Sequence, residues 1–326
     1  MKPILLFGLF SIWSSLFGYD VKIRVVDDQG KAVSGASATI DFIGYLQGSG
    51  KAYHGITDAD GIFSASGNAE HSVFVVANKE GYYEARVDRL PKNKNLNLFV
   101  VIPRILNPLP LYVRRTNPVI PVQNEWLGYD FEVGDWVAPS GKGKVSDIRF
   151  RFRNEFKGYQ DNIKNLDKEI AFSQRAYAAR NEEWSLEKFK LTAGKWDAEL
   201  DVAFPGEKEG LHEETRFLDY SQLKLPHAAP EDGYAPTWHY TANNYSPGTS
   251  RTNVGFFLRT RVKLDRAGNI VSANYTKLMG DIYVASTGAL LFTYYYNPTP
   301  NVRNLEFDQK LNLFPAEKVG LTVISP

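Results

Sequence analysis

The sequence predicts an all-β chain: a small transthyretin- or Ig-like β-sandwich, then a larger antiparallel β-sandwich carrying one inserted helix. Three features carry that expectation. Apolar and polar residues alternate with period two across 20–102, between turns rich in Gly and Asp. Five prolines (Pro103, Pro108, Pro110, Pro118 and Pro121) then interrupt the pattern. Beyond them the alternation returns, and helical spacing shows in one place only.

Residues 1–18 stand apart. Lys2 is their single charge, and an apolar and small-residue run from Ile4 to Gly18 follows it. A basic start and a run shorter than the roughly 20 residues of a spanning helix predict a secretory signal peptide; Gly18 suits the last position before cleavage, Leu16 is large for the position two before it, and a retained anchor is the alternative. Its loss removes one of the 38 Lys and Arg and leaves 37 facing 37 Asp and Glu. That balance gives no electrostatic case for nucleic-acid or anionic-membrane binding. No later stretch reaches spanning length, since Pro103 and Arg104 break the apolar run 96–106. A mature chain without a transmembrane segment is therefore expected in the periplasm, at the cell surface or outside the cell. With no Cys, its stability must come from core burial, which about 300 residues can supply.

The first unit, 19–102, reads as seven short strands at 21–25, 36–42, 51–57, 62–65, 72–79, 82–87 and 95–102. Val21, Ile23 and Val25 alternate with Lys22 and Arg24 and run into the turn Asp27-Asp28-Gln29-Gly30. The run from Val25 to Ile40, Thr57-Asp58-Ala59-Asp60-Gly61-Ile62-Phe63, and Val75-Val76-Ala77-Asn78-Lys79-Glu80-Gly81-Tyr82 together resemble the carboxypeptidase regulatory-like domain. The resemblance covers about a quarter of the chain and implies a transthyretin-like sandwich with a structural or presentation role, without catalysis. Gly30, Gly35, Gly61 and Gly81 occupy its turns, where positive φ is expected. The sequence departs from the pattern at Ala32, where the family usually has Pro.

Residues 103–124 read as a semi-extended linker or edge segment, because each Pro removes a donor and restrains its predecessor. The larger unit, 125–326, shows a clear meander at 255–265, 270–278 and 289–296, turned at Asp265-Arg266-Ala267-Gly268-Asn269. On its first strand Phe256, Leu258, Val262 and Leu264 are expected on one side, with Arg259, Arg261, Lys263 and Asp265 on the other. Tyr159, Ile163, Leu166 and Ile170 recur at helical spacing and predict one amphipathic helix within 159–181. Segments 131–139, 141–144 and 297–308 are similar to segments of exported bacterial proteins that begin with such a sandwich. That resemblance implies an arrangement of parts and no activity.

Site chemistry is sparse. The five His (His54, His71, His212, His227 and His239) include no two at metal-ligand spacing, so no metal or other cofactor is expected. A Gly-x-Ser-x-Gly elbow is absent, and Gly141-Lys142-Gly143-Lys144 lacks the length and the closing Ser or Thr of a phosphate loop, so it reads as a turn. Asp58 and Asp60 precede Gly61, but Phe63 and Ala65 stand where a calcium loop needs oxygens, so a β-turn is expected there too. Glycoside hydrolysis would need two carboxylates, and Asp130, Glu132, Asp135, Asp197, Glu199 and Asp201 read instead as solvated strand faces. Trp126 and Trp136 are expected in the core.

The strongest binding signal lies in 220–251, where Tyr220, Tyr234, Trp238, Tyr240 and Tyr245 sit among Pro, Gly and Asn. Such rings either grip a sugar or protein partner or pin a long loop to its sheet. The expected function is thus a non-catalytic, exported binding or structural protein with a protein or glycan partner. A second reading is a carbohydrate-binding protein using Tyr234, Trp238, Tyr240 and Tyr245; the third is a glycoside hydrolase.

Overall fold

The computed structural model describes residues 18–45, 50–90, 92–245, 251, 253–315 and 325–326, so the expected signal peptide lies outside the description except for Gly18. The described residues form eighteen strands and two helices, an all-β architecture as expected. Two compact units result: Met1–Asn107 with Leu218–Lys224, and Pro108–Phe217 with Leu225–Pro326.

Unit 1 has seven strands: β1 (Gly18–Val26), β2 (Ser37–Ile43), β3 (Lys51–Ile56), β4 (Ile62–Asn68), β5 (Ser72–Asn78), β6 (Ala85–Arg89) and β7 (Asn95–Val101). They make a three-stranded sheet, β4-β1-β7, and a four-stranded sheet, β3-β2-β5-β6. Val21, Ile23 and Val25 of β1 meet Ile40, Phe42, Val73, Val75 and Val87 in one core, as their alternation requires. Strand β7 lies parallel to β1, which sequence alternation cannot reveal. Residues 218–224 also belong to this unit: the Arg86 amide donates to the Tyr220 carbonyl at 2.8 Å and the Gln222 amide to the Glu84 carbonyl at 3.0 Å, extending the sheet beyond β6.

Turn chemistry closes the strands. Gly30, Gly35, Gly61 and Gly81 all have φ between +72° and +81°. Asp58 accepts the amides of Asp60 and Ile62 on one carboxylate oxygen, at 2.9 and 2.8 Å, so it serves the turn. Asp27 does the same for Gln29 and Lys31, and its second oxygen takes Arg104 at 2.9 Å. Burial opposes its charge, but these donors hold the carboxyl below the usual range.

Unit 2 begins in the Pro-rich stretch, where β8 (Tyr112–Thr116) forms between Pro110 and Pro118. It continues with β9 (Leu127–Asp130), β10 (Asp135–Trp136), β11 (Ile148–Tyr159), α1 (Leu166–Ala179), α2 (Leu186–Ala193), β12 (Gly194–Ala203), β13 (Gly210–Glu214) and β14 (Thr237–Asn243). Strands β15 (Gly255–Leu264), β16 (Ile270–Met279), β17 (Tyr283–Val284) and β18 (Leu290–Asn297) complete it. One sheet runs β10-β9-β11-β12-β14; the other runs β13-β15-β16-β18-β17, with β8 paired to β18. The expected meander is β15-β16-β18, antiparallel throughout.

The central strands of the second sheet are buried on both faces over most of their length. Phe256, Leu258, Leu278, Phe292, Tyr294 and Tyr296 pack against Tyr129, Trp136, Phe150 and Phe152 of the first sheet. On the opposite face Phe257, Tyr275 and Tyr295 lie under Leu225, Ala229, Leu305 and Phe307. Tyr294, Tyr295 and Tyr296 therefore alternate between two cores, and all three are buried. Trp136 is core as expected; Trp126 is not, being 41% exposed beneath the Arg151 guanidinium.

Two helices replace the single one expected. Asn165 caps α1 by accepting the Lys168 amide at 3.0 Å, so the helix starts later than the apolar spacing implied. Asn181, at φ 56°, ends that turn of chain, and Ser185 caps α2 through the Lys188 amide at 3.1 Å. Helix α1 buries no residue; α2 buries Phe189.

A Cβ at Gly61 would stand 2.4 Å from the Val25 carbonyl oxygen, in a backbone conformation hostile to side chains. Gly61→Ala is expected to destabilise unit 1 by about 2 kcal/mol or more. Urea unfolding would check this; an unchanged midpoint would contradict the turn assignment.

Candidate functional site

Sequence placed the binding signal in 220–251, and the structure distributes those rings. Tyr220 lies in unit 1. Trp238 and Tyr240 lie on the inward side of edge strand β14, half-buried, with ring centroids 5.6 Å apart and planes 10° apart. They turn faces to each other, and Trp238 meets Phe256 edge-on at 5.5 Å. Tyr234 is half-buried against the other core: its hydroxyl donates to the Pro230 carbonyl at 2.8 Å, and Arg259 covers its ring at 4.3 Å. Burial raises its phenol above the ordinary value. Tyr245 remains 45% exposed, its hydroxyl donating to Asp197 at 2.5 Å. The structure thus brings Trp238 and Tyr240 together and leaves Tyr234 and Tyr245 elsewhere.

The outward side of the same sheet is a cross-strand charge lattice. Register sets Arg151 opposite Asp201 and Arg153 opposite Glu199, then Asp201 opposite His239. Arg151 binds Asp201 through Nε at 3.1 Å and Nη2 at 2.9 Å, and Arg153 binds Glu199 through Nε at 3.0 Å and Nη2 at 2.7 Å. His239 Nδ1 stands 2.7 Å from Asp201. Although burial opposes its charge, His239 and Arg151 keep the Asp201 carboxyl below the usual range. Asp197, Glu199 and Asp201 are solvated-face residues, already paired.

The other acids form a cluster that sequence alternation does not reveal. Arg261 grips Asp147 through Nε at 2.7 Å and Nη2 at 3.0 Å, Glu132 through Nη1 at 2.6 Å, and Asp130 through Nη2 at 3.3 Å. The expected outward side of β15 is corrected here. Arg261 has φ 52°, the register to β16 slips between Thr260 and Lys263, and this bulge turns Arg261 toward the acids while Val262 joins the opposite core. Asp130 also accepts the amides of Glu132, Val133, Lys144 and Val145 at 2.8–3.1 Å. Asp135 accepts those of Trp136 and Lys142 at 2.8 and 2.9 Å. The glycine-rich turn 141–144 therefore wraps two carboxylates of its own chain. Burial raises the Asp147 carboxyl despite Arg261, and Arg261 itself is raised by Asp147 and Glu132 against its desolvation. One detectable signal was the close run of acids at 130, 132, 135 and 147 around glycine.

Lys277 is buried as well. Its Nζ donates to a main-chain oxygen of Pro326 at 3.1 Å and lies 4.5 Å from the centre of the Tyr295 ring, while the Tyr295 hydroxyl donates to the Ser325 carbonyl at 3.0 Å. Burial pushes its ammonium down to about 7, against the attraction of Glu306. Among the described residues no three His, Asp or Glu are arranged to hold a metal ion, and no helix is long and apolar enough to cross a membrane.

No family of known proteins matches the sequence, and no curated protein does. Solved structures give distant likenesses. A chlorocatechol 1,2-dioxygenase from Pseudomonas putida is 11% identical, over 27% of this chain and 61% of its own, with a TM-score of 0.24. The full-length major pilin SpaD from Corynebacterium diphtheriae is 9% identical, over 79% and 92%, with a TM-score of 0.23. A putative carbohydrate binding protein from Bacteroides uniformis is 9% identical, over 88% and 99%, with a TM-score of 0.21.

Lys277 yields a signed pH dependence. Its folded pKa lies below the unfolded value of 10.5, so above about pH 7 the unfolded chain holds the extra proton and stability rises with pH. Urea unfolding of unit 2 is expected to show a gain between pH 7 and 9.5, at most about 1.4 kcal/mol per pH unit from this group. Lys277→Met should flatten that rise and be the more stable form at pH 6; equal slopes in both proteins would contradict it.

Proposed function

We propose that the chain is an exported, non-catalytic protein that works by binding or assembly in the periplasm or at the cell surface. The observation that carries this reading is the state of its acids. The acids that converge do so on arginines, Asp130, Glu132 and Asp147 on Arg261 and Glu213 and Asp281 on Arg251, and backbone amides also bind Asp130 and Asp147. A general acid and base need free, separately tuned carboxyls beside a substrate-sized space, whereas these are structural ligands of an arginine.

Unit 1 is read as a regulatory-like presentation module, supported by the positive φ of Gly30, Gly35, Gly61 and Gly81 at the turns that carry the resemblance. Glycan binding through Tyr234, Trp238, Tyr240 and Tyr245 is the second reading. Its support rests on Tyr245, since the other three rings are packed against neighbouring side chains.

Two outcomes test the proposal. Mature protein recovered from cells should begin at Tyr19; intracellular protein retaining 1–18 would contradict export. Purified protein should also co-sediment saturably with isolated cell-envelope material and leave it intact. Time-dependent release of soluble fragments would overturn the non-catalytic reading.

A further inference from the structure

The outward face of the β4-β1-β7 sheet in unit 1 has an unusual composition for exposed strands. Register aligns Ser66, Asp20 and Asn95 in one row, Ser64, Lys22 and Asn97 in the next, and Ile62, Arg24 and Phe99 in the third. The first two rows line an open cleft of about 320 Å³. Exposed strand positions favour β-branched and aromatic residues, and Ser and Asn contribute little to a pleated surface. Here short Ser and Asn side chains leave a trough beside the longer Lys22, and Phe99 stands next to it 66% exposed.

The polar groups of the trough are available. Asp20 accepts the Ser66 hydroxyl at 2.6 Å, and among the described residues the side chains of Lys22, Arg24, Ser64, Asn95 and Asn97 have no hydrogen-bond or ion-pair partner. Strands β4 and β7 contribute no charge to this face, so it carries two cations against one carboxylate that is already hydrogen-bonded. Amides and hydroxyls match the paired donors and acceptors of a sugar, an exposed ring matches its C–H face, and the surplus cations match an acidic substituent.

We propose that this face binds an acidic glycan, with Lys22 and Arg24 taking uronate carboxylates, Ser64, Asn95 and Asn97 meeting ring hydroxyls, and Phe99 lying under the sugar. The site deepens the binding-protein reading by naming a ligand class, and the two fail separately. Envelope co-sedimentation that survives loss of this face would sink the site and keep the reading.

Affinity electrophoresis of the purified mature protein is the test, in gels containing polygalacturonate, alginate, uncharged dextran or poly-glutamate. Retardation by polygalacturonate or alginate is expected, with none by dextran or poly-glutamate. Lys22→Ala, Asn97→Ala and Phe99→Ala should each weaken uronan binding about tenfold or more, while Arg86→Ala, on the other sheet, should leave it unchanged. All four residues are exposed, so thermal unfolding should coincide with the parent protein and exclude misfolding. Absence of retardation, equal retardation of parent and trough variants, or equal retardation by poly-glutamate would overturn the proposal, the last reducing it to attraction for any polyanion.

Discussion

Unit 2 depends on one interaction, the grip of Arg261 on buried Asp147 and Asp130 and on the half-exposed Glu132. The guanidinium comes from β15 of one sheet and the acids from the segment that turns out of β9 and returns into β11 of the other. Burying these charges is costly, so the contact persists only where geometry and further hydrogen bonds compensate. Both conditions hold. Asp147 is bound by two guanidinium nitrogens and the Phe131 amide, and Asp130 by four amides besides Arg261. The bulge that delivers Arg261 also reverses the facing of β15, so Phe256 and Val262, six residues apart, enter different cores.

That constraint also sets which side chains stay accessible. Asp130 and Asp147 are held by Arg261 and by backbone amides, and most side chains of the central strands β15, β16 and β18 lie in one of the two cores. Two of the outer surfaces are the paired lattice on β11, β12 and β14, and the Ser, Asn and Lys trough of unit 1. The two differ in kind. A lattice whose partners already satisfy one another stabilises modestly, whereas the amides of the trough, beside an exposed ring, keep their donors and acceptors open to solvent.

Much of the architecture could be read from residues alone. Val21, Ile23 and Val25 alternate cleanly, glycine marks the turns of unit 1, and the 255–296 meander carries its own turn residues. What escaped depends on distant partners. The parallel pairing of β1 with β7 and the return of 218–224 to unit 1 join segments far apart in sequence. Arg261 looked solvent-facing because period two ignores a bulge, and β8 hid among prolines because they flank it and leave its own five residues free to pair. The aromatic loop was recognised as a feature, yet whether its rings point inward is set by Phe256 and Arg259, which no local pattern supplies. In the trough of unit 1, the alternating Ser64, Ser66, Asn95 and Asn97 were visible, but only register brings them side by side.

The central claim, that the buried acids are a structural knot around Arg261, is tested most directly by a double-mutant cycle with Arg261→Met and Asp147→Leu, read by urea unfolding of unit 2. Each single change should cost about 3–5 kcal/mol, because Arg261→Met strands buried Asp147 and Asp147→Leu leaves Arg261 Nε and the Phe131 amide without their acceptor, and the double should cost less than their sum by at least about 1 kcal/mol. Additive losses within about 0.5 kcal/mol, or single variants as stable as the parent, would contradict it.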